Sequence, residues 1–325
     1  MILETERLTL RPFKESDAES IYEYAKDLEV GPAAGWPAHT SVENSLEVIK
    51  NVLMVPETYA ICLKDTDKAI GAIGLTIAGQ GQSNIKLKEN EGEIGYWIGV
   101  PFWGQGLMPE ATRELIRHAF QDLNVETLLC GYFEGNNQSK RVQEKCGFKY
   151  YETYKDIHWE LMNLTITEHI TRFPKDDWKN SFTYRKLEES ETEKALALAW
   201  EVFQKYESPD YDETGTEEFK KCLHDNQYLN GIVYYGAFDD NTLISMVGIR
   251  KDVCHICFFF TDGRYHRLGI GTKLFYNMKT DFIGKPITLN SSPYGLPFYK
   301  SLGFKAVDNE QTINGIRFTP MILEG

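Results

Sequence analysis

Along this chain the spacing of apolar residues alternates between the period of a strand and that of a helix, and the alternation runs in the same order twice. Leu8-Thr9-Leu10-Arg11-Pro12-Phe13 alternates like a half-buried strand, and Lys14-Glu15-Ser16-Asp17 leads into an amphipathic helix with Ile21, Tyr24 and Ala25 on one face. The arrangement returns at Phe182-Thr183-Tyr184-Arg185-Lys186-Leu187, where an acidic stretch leads into a helix carrying Ala195, Leu196 and Trp200. After the first helix, residues 31–39 are a loop by their Gly and Pro content, and Thr40 with Glu43 predicts a capping box for a helix through Val48 and Leu53. Residues 59–63 and 69–77 read as a hairpin, and 78–90 as a polar loop.

Residues 93–110 follow, Glu-Ile-Gly-Tyr-Trp-Ile-Gly-Val-Pro-Phe-Trp-Gly-Gln-Gly-Leu-Met-Pro-Glu. An alternating apolar run ends in a Gly-rich turn, and Pro109 opens a helix running to about Leu123. Backbone N–H groups should converge there at a positive helix end, which suits a phosphate. A second copy is the strand-like run 253–261 followed by Tyr265-His266-Arg267-Leu268-Gly269-Ile270-Gly271-Thr272-Lys273. Cys146-Gly147-Phe148-Lys149 is likewise answered by Leu302-Gly303-Phe304-Lys305. Ordered matches of this kind indicate a duplicated domain, not a short repeat.

Thr127–Phe133 is an apolar strand, Asn136 caps a short helix ending before Gly147, and 158–165 reads as a last strand of the first half. The charged, Pro-broken segment 173–181 predicts a linker, which divides the chain into domains at 1–172 and 182–325. The second half repeats the order. An acidic loop at 207–215 is followed by a helix through Phe219 and Leu223, strands at 232–238 and 243–249, the second Gly turn, a strand at 287–290 and the segment 294–304. The predicted class is α/β in the α+β sense, with a mixed, mostly antiparallel sheet in each domain and helices on both faces.

Composition adjusts this picture modestly. The 325 residues suit two domains, and 42% apolar content is enough for two cores. No apolar run reaches the ~20 residues of a membrane span, and the opening Met-Ile-Leu-Glu-Thr-Glu-Arg lacks the regions of a signal peptide, so a cytoplasmic protein without a membrane partner is expected. Six scattered cysteines make no disulfide framework. A net charge of −13 with no basic stripe argues against nucleic acid and favours a cationic acceptor. Cys254-His255-Ile256-Cys257 resembles a metal motif, but on a strand its cysteines point to opposite faces and no second pair completes four ligands, so no metal is expected.

Spacing narrows the chemistry of the Gly turns. A dinucleotide fingerprint would need a third glycine where Pro109 and Leu274 stand, and in Gly271-Thr272-Lys273 the order is wrong for a nucleotide P-loop. What remains resembles the GNAT superfamily of acyl-CoA N-acyltransferases, whose pyrophosphate loop reads Arg/Gln-x-x-Gly-x-Gly/Ala. His266-x-x-Gly269-x-Gly271 matches both glycines, and Trp103-x-x-Gly106-x-Met108 matches the first. Gly95-Tyr96-Trp97, Phe102-Trp103-Gly104-Gln105-Gly106, Thr5-Glu6-Arg7-Leu8 and Asn136-x-x-Ser139-x-x-Val142-x-Glu144-Lys145-x-Gly147-Phe148 look like the ribosomal-protein alanine N-acetyltransferases. Asn290-Ser291-Ser292-Pro293-Tyr294 and Phe298-Tyr299-Lys300-Ser301-Leu302-Gly303-Phe304 look like the closing segment of general family members.

The resemblance implies two tandem GNAT-like domains that move an acetyl group from acetyl-CoA to a primary amine of a small molecule or peptide. It assigns acetyl-CoA to Ile98, Val100, Trp103, Gly104, Gln105, Gly106, Leu107, Met108 and Asn136 in the first domain. In the second it assigns it to Phe260, Thr261, His266, Arg267, Leu268, Gly269, Ile270, Gly271 and Thr272. Tyr299 takes the position of the general acid. In the first domain that position is Gln143, so Ser139 is the substitute and Glu93 the candidate base through water. Trp36 and His39 are expected to line one acceptor pocket and Tyr211 the other, with Asp252 and His255 as possible bases of the second domain. A homodimer is an allowed assembly. The alternative reading makes one domain, by preference the first, a non-catalytic acyl-CoA-binding or structural module, and a third makes the first domain a protein N-terminal acetyltransferase.

Overall fold

The computed structural model describes residues 1–81, 83 and 85–325, so residues 82 and 84 of the predicted loop 78–90 lie outside it. Two units separate, Met1–Asn180 and Ser181–Gly325. The first comprises β1 (Leu3–Glu4), β2 (Leu8–Arg11), α1 (Ala18–Ala25), α2 (Val42–Val48), β3 (Thr58–Leu63), β4 (Ala69–Ile77), β5 (Glu91–Ile98), α3 (Leu107–Arg117), β6 (Thr127–Phe133), α4 (Asn137–Lys145), β7 (Lys149–Trp159), β8 (Leu164–Pro174) and α5 (Lys175–Ser181). The second comprises β9 (Thr183–Lys186), α6 (Thr192–Tyr206), α7 (Glu213–Cys222), α8 (Asn226–Leu229), β10 (Ile232–Asp239), β11 (Thr242–Arg250), β12 (His255–Thr261), α9 (Ile270–Lys279), β13 (Ile287–Ser291), α10 (Leu296–Ser301), β14 (Lys305–Ala306), β15 (Gln311–Ile313) and β16 (Ile316–Leu323). Among the described residues, no helix is long and apolar enough to cross a membrane.

Central strands that are apolar on both faces demand a helix layer on each side. In β3, Ala60 and Cys62 join Ile21 and Ala25 of α1 in one core, while Tyr59 on the other face meets His118 just after α3. In the second unit Phe258 and Phe260 of β12 pack under α6 with Leu198, Val202 and Phe203, whose ring stacks 3.9 Å from Phe219. The fold class read from the sequence is therefore the one observed.

Strand order is β1-β2-β3-β4-β5-β6-β8-β7 in the first unit and β14-β16-β13-β12-β11-β10-β9 in the second, with β15 paired to β16. All neighbours are antiparallel except β5 with β6 and β12 with β13. Glu91, Gly92 and Glu93 stand opposite Thr127, Leu128 and Leu129, and there the mutual pairing stops. β5 stays bonded to β4 as far as Ile98, and β6 to β8 as far as Phe133, so the sheet parts between them. β12 and β13 pair only at His255–Thr288 and Ile256–Leu289 before parting in the same way.

Several local expectations need correction. The cap of α2 is Ser41, whose Oγ accepts from the Asn44 N–H at 3.1 Å, and Thr40 instead donates its own N–H to the Asn44 side chain. Pro109 lies at the third helical position, and Gly106 opens α3 because the entry requires a left-handed residue (φ 78°). The strand expected at 158–165 is instead the tip of the β7–β8 hairpin, in which the end of β7 and the start of β8 pair around a turn at 160–163, with Asn163 at φ 51°. Residues 173–181 form the end of β8 and the helix α5, because Trp178 is 2% exposed and packs 5.5 Å from the Phe120 ring. Trp178→Ala should therefore destabilise the first unit by about 3–5 kcal/mol, the range for removing a buried aromatic. Denaturant unfolding measures this, and an unchanged midpoint would return the segment to a linker.

Candidate functional site

Both partings of the sheet end in one backbone shape. After β5, a short turn at Val100–Phe102 leads to extended Trp103 (φ −66°, ψ 150°), left-handed Gly104 (φ 75°) and left-handed Gly106 (φ 78°) before α3 begins. After β12, a turn at Gly263–Tyr265 leads to extended His266 (φ −61°, ψ 153°), left-handed Arg267 (φ 64°) and left-handed Gly269 (φ 75°) before α9. Such alternation turns successive N–H groups into one concavity at a positive helix end, and the first N–H groups of a helix have no intrahelical partner. A Cβ on Gly104 or Gly269 would meet nothing within 4 Å, and on Gly106 only the Arg7 guanidinium at 3.6 Å. Each hollow is open at its glycines.

The first hollow is braced from the start of the chain. Glu110 Oε1 accepts from Thr5 Oγ1 at 2.6 Å and from the Arg7 N–H at 2.8 Å, and Oε2 accepts from Arg7 Nε at 2.7 Å. Arg7 also donates to the carbonyl of Gln105 at 3.0 Å. Inside the parting, Trp103 donates its indole N–H to the Ile98 carbonyl at 2.9 Å, which closes the last turn of β5.

A cavity of about 430 Å³ joins this hollow to the gap between β5 and β6. It brings together Glu93, Ile98, Trp103, Gly104, Gly106, Leu107, Met108, Asn136 and Ser139 among the expected residues, but not Val100 or Gln105. Gln105 instead donates its side-chain amide to the Pro101 carbonyl at 2.7 Å. Asn136 caps α4 by accepting from the Ser139 N–H at 3.0 Å. Ser139 Oγ lies 3.2 Å from the Tyr96 hydroxyl and accepts from Gln143 Nε2 at 3.1 Å. The Gln143 amide is held one way round, because Nε2 also donates to the Gly131 carbonyl at 3.0 Å while Oε1 accepts from Thr171 at 2.7 Å. Burial in the cavity wall raises the Tyr96 pKa well above the usual tyrosine value and keeps its hydroxyl protonated.

Two side chains that sequence reading did not select complete the cavity. Glu168 on β8 is 6% exposed, lines the cavity and takes no hydrogen bond or ion pair among the described residues. Burial, and then the charge of Glu93, push its pKa up to about 7. Trp159, at the end of β7, stacks edge-on to Phe133 at 5.0 Å and donates its indole N–H to the Gly35 carbonyl at 2.7 Å. The signal for Glu168 was present: it occupies the inward position of the alternating run Ile166-x-Glu168-x-Ile170.

Trp36 and His39 do not line this cavity. Trp36 packs on Trp97 at 5.4 Å, and His39 is 8% exposed with Nδ1 2.8 Å from Ser45 Oγ. Burial lowers the His39 pKa, so it is a neutral core residue, and the neighbouring Ala33 and Ala34 face the cavity instead.

In the second unit Arg267, Leu268, Gly269, Ile270, Gly271 and Thr272 form the loop and first turn of α9, with Gly271 packed so closely that a Cβ would lie 3.1 Å from the Phe298 ring. His266 Nε2 is 2.9 Å from the Thr261 carbonyl. Phe260 departs from expectation, being 7% exposed in the core under α6. Tyr299 is 8% exposed between Phe259, Phe298 and Phe304, and its pKa is pushed far up by burial and then by the charge of Glu207. Glu207, just after α6, escaped the sequence reading. Burial raises its pKa to about 7 against an opposing hydrogen bond from Ser292. Tyr211 stacks on Phe203 at 5.5 Å and donates to the Arg317 carbonyl at 3.1 Å, which makes it a packing residue. His255 lies at the paired end of β12, 2.9 Å from Thr288 Oγ1, and Asp252 lies in the exposed turn before it, so neither reaches the parting.

The family description "Acetyltransferase (GNAT) domain" matches residues 7–149 and again 207–324. The N-acetyltransferase p20 of Bacillus licheniformis is 30% identical over 152 residues, covering 45% of this chain and 82% of that protein. The N-acetyltransferase YoaA of Bacillus subtilis is 29% identical over 153 residues, covering 46% and 82%. Among solved structures, a GNAT-family acetyltransferase from Bacillus anthracis covers 54% of this chain and 99% of its own, at 20% identity and a TM-score of 0.48.

Because both hollows depend on a left-handed glycine with open space at its Cβ position, Gly106→Ala and Gly269→Ala should each cost only the backbone strain, about 1–2 kcal/mol. Thermal unfolding of each variant measures it, and a loss several times larger would mean that the side chain meets something else.

Proposed function

The chain belongs to the GNAT acetyltransferase family and is an N-acetyltransferase, and from that premise we propose that each unit carries its own acetyl-transfer site at the parting of its sheet. The observation that carries the proposal is the cavity at the parting of β5 and β6, which joins an anion-binding hollow to a buried carboxylate, Glu168, that has no hydrogen-bond or ion-pair partner among the described residues.

Acetyl-CoA, when bound, supplies an acetyl group activated as a thioester. The hollow at 104–108 holds the pyrophosphate, and the N–H groups of β5 that face the gap beyond Glu93 are available to an acyl oxygen. Glu168 takes the proton of the acceptor ammonium, since a carboxylate near neutrality is matched to that task. Ser139 receives the Gln143 N–H on its oxygen, which leaves the Ser139 hydroxyl proton for the departing sulfur. In the second unit Glu207 serves as base and Tyr299 as acid, around the hollow at 267–271. None of the six cysteines is paired in a disulfide among the described residues, in keeping with a reducing, cytoplasmic setting.

A second reading has the first unit bind acyl-CoA without turnover, and it rests on Gln143 standing where the second unit has Tyr299. The two readings separate with one substitution in each hollow. A β-branched residue cannot take the left-handed entry, so Gly106→Val and Gly269→Val should each abolish acetyl-CoA binding by one unit only. If turnover survives Gly106→Val in full for every amine tried, the first unit is not an enzyme. Tyr299→Phe should lower second-unit turnover about 10²–10⁴-fold with little change in acetyl-CoA affinity.

The raised carboxyl also fixes a pH profile. Below about 7 Glu168 is protonated and cannot accept a proton, and above it the carboxylate is available, so kcat/KM of the first unit should rise through that point. Glu168→Gln should remove this limb and lower kcat about 10²–10⁴-fold. An unchanged profile in that variant would remove Glu168 as the base.

A further inference from the structure

Gln143 is fully buried, so the direction of its amide is set by what each polar atom can pair with. The Gly131 carbonyl, 3.0 Å away, can only accept, so the atom facing it is Nε2. The second N–H of that nitrogen meets Ser139 Oγ at 3.1 Å, four residues back on the same face of α4. Oε1 then faces Thr171 Oγ1 at 2.7 Å and receives the hydroxyl proton. Thr171 also lies 3.1 Å from the Cys130 carbonyl, but it has one proton to give, and spending it there would leave a buried amide oxygen without a donor.

The sheet holds the fixed end of this arrangement. Thr171 of β8 stands opposite Cys130 of β6, and Gly131 is the next residue along β6. A flipped Gln143 would set Oε1 against the Gly131 carbonyl and would draw the Ser139 proton toward itself. What reaches the cavity is therefore the direction of one hydroxyl. With Oγ already accepting from Gln143, the proton of Ser139 has the Tyr96 oxygen at 3.2 Å, or the cavity that Ser139 and Tyr96 both line. Tyr96 also reaches the Ser139 carbonyl at 3.2 Å, so its own proton keeps an acceptor when the serine turns away.

We infer that Gln143 and Thr171 are positioning residues of the first unit: the chain of donors from Thr171 through Gln143 to Ser139 keeps the Ser139 hydroxyl a donor toward the departing sulfur. This deepens the acetyl-transfer reading above and rests on it. As the acceptor nitrogen bonds to the acetyl carbon, the C–S bond breaks and its electron pair stays on sulfur. Ser139 keeps its proton and donates a hydrogen bond to that thiolate, and the proton that the nitrogen loses on becoming an amide then neutralises the sulfur. Neither Gln143 nor Thr171 lines the cavity, so each acts through Ser139 and touches no substrate. The amide that stands where the second unit has Tyr299 thus has work of its own in the same reaction.

The test uses the full chain carrying Gly269→Val, so that binding and turnover come from the first unit. Ser139→Ala should lower kcat about 10–100-fold, the worth of a hydrogen bond to a charged atom, and Gln143→Met should lower it nearly as far with little change in the acetyl-CoA KM. In the Ser139→Ala chain, Gln143→Met should cost nothing further, because its route to the sulfur has gone. Thr171→Val should lower kcat in part, and Thr171→Ser should keep it. The thiol of bound CoA gives a readout without turnover, by the ultraviolet absorbance of its thiolate against pH with the desulpho-CoA complex as blank. Its pKa should lie about one pH unit below that of free CoA, and Gln143→Met should return it toward the free value. An unchanged kcat in Gln143→Met, an equal loss in the Ser139→Ala chain, or a thiol titration that Gln143→Met leaves alone overturns the inference. Should Gln143→Met fail to bind acetyl-CoA in calorimetry, the Thr171 pair decides, and equal kcat and equal thiol titration in Thr171→Val and Thr171→Ser overturn it. Absence of acetyl-CoA binding in the Gly269→Val chain, or a full kcat in Ser139→Ala, overturns instead the reading beneath it.

Discussion

The parting of two parallel strands is the constraint on which both units are built. A strand in the middle of a sheet normally spends its N–H and C=O groups on two neighbours, and leaving one side unpaired in the interior is costly unless something else takes those groups. β5 and β12 each give up a neighbour partway along while keeping the other. The open side needs a ligand with its own hydrogen-bonding groups, and the helix that must start where the strand ends supplies further unpaired N–H groups beside it. Parting, left-handed loop and helix start thus form one device, and the chain has built it twice with nearly identical dihedral angles.

What the copies share is backbone, and what they do not share is side chains. Arg267 holds in the second loop a left-handed conformation that the first gives to Gly104, so the second unit accepts strain to keep a positive charge at the hollow. The first unit keeps an uncharged loop and braces it through Glu110, Thr5 and Arg7. On the helix that follows the opposite strand, Tyr299 of α10 sits among phenylalanine rings in one unit, while Gln143 of α4 in the other is locked by Thr171 and Gly131 and turned toward Ser139. A residue that looks like a loss by comparison of types is, in its own surroundings, a fully engaged amide.

The sequence disclosed what is repeated and local. Strand periods, the Asn136 cap and both Gly turns could be read directly, because each is fixed by residues within a few positions of one another. It concealed what is made by distant segments. Glu168 joins Glu93 only because β8 inserts beside β6, and Glu207 reaches Tyr299's surroundings only through the return of β13 and α10. Trp36 and His39 misled because an aromatic and a histidine in a Gly-Pro loop look like a pocket rim, whereas their sizes fill the space between α1, α2 and β5. Residues 173–181 looked like a linker since one buried tryptophan leaves little periodicity in so short a helix.

The bond from Trp159 to Gly35 also bears on time. Two hydrogen bonds and a ring contact hold the loop after α1 against the end of β7 and the cap of α4, and motions that break such ties in a loop of that size take microseconds to milliseconds. The hinge is short, since Gly35 itself takes the left-handed bend at φ 89°. Each such opening changes the surroundings of the Trp159 indole, whose emission therefore reports it.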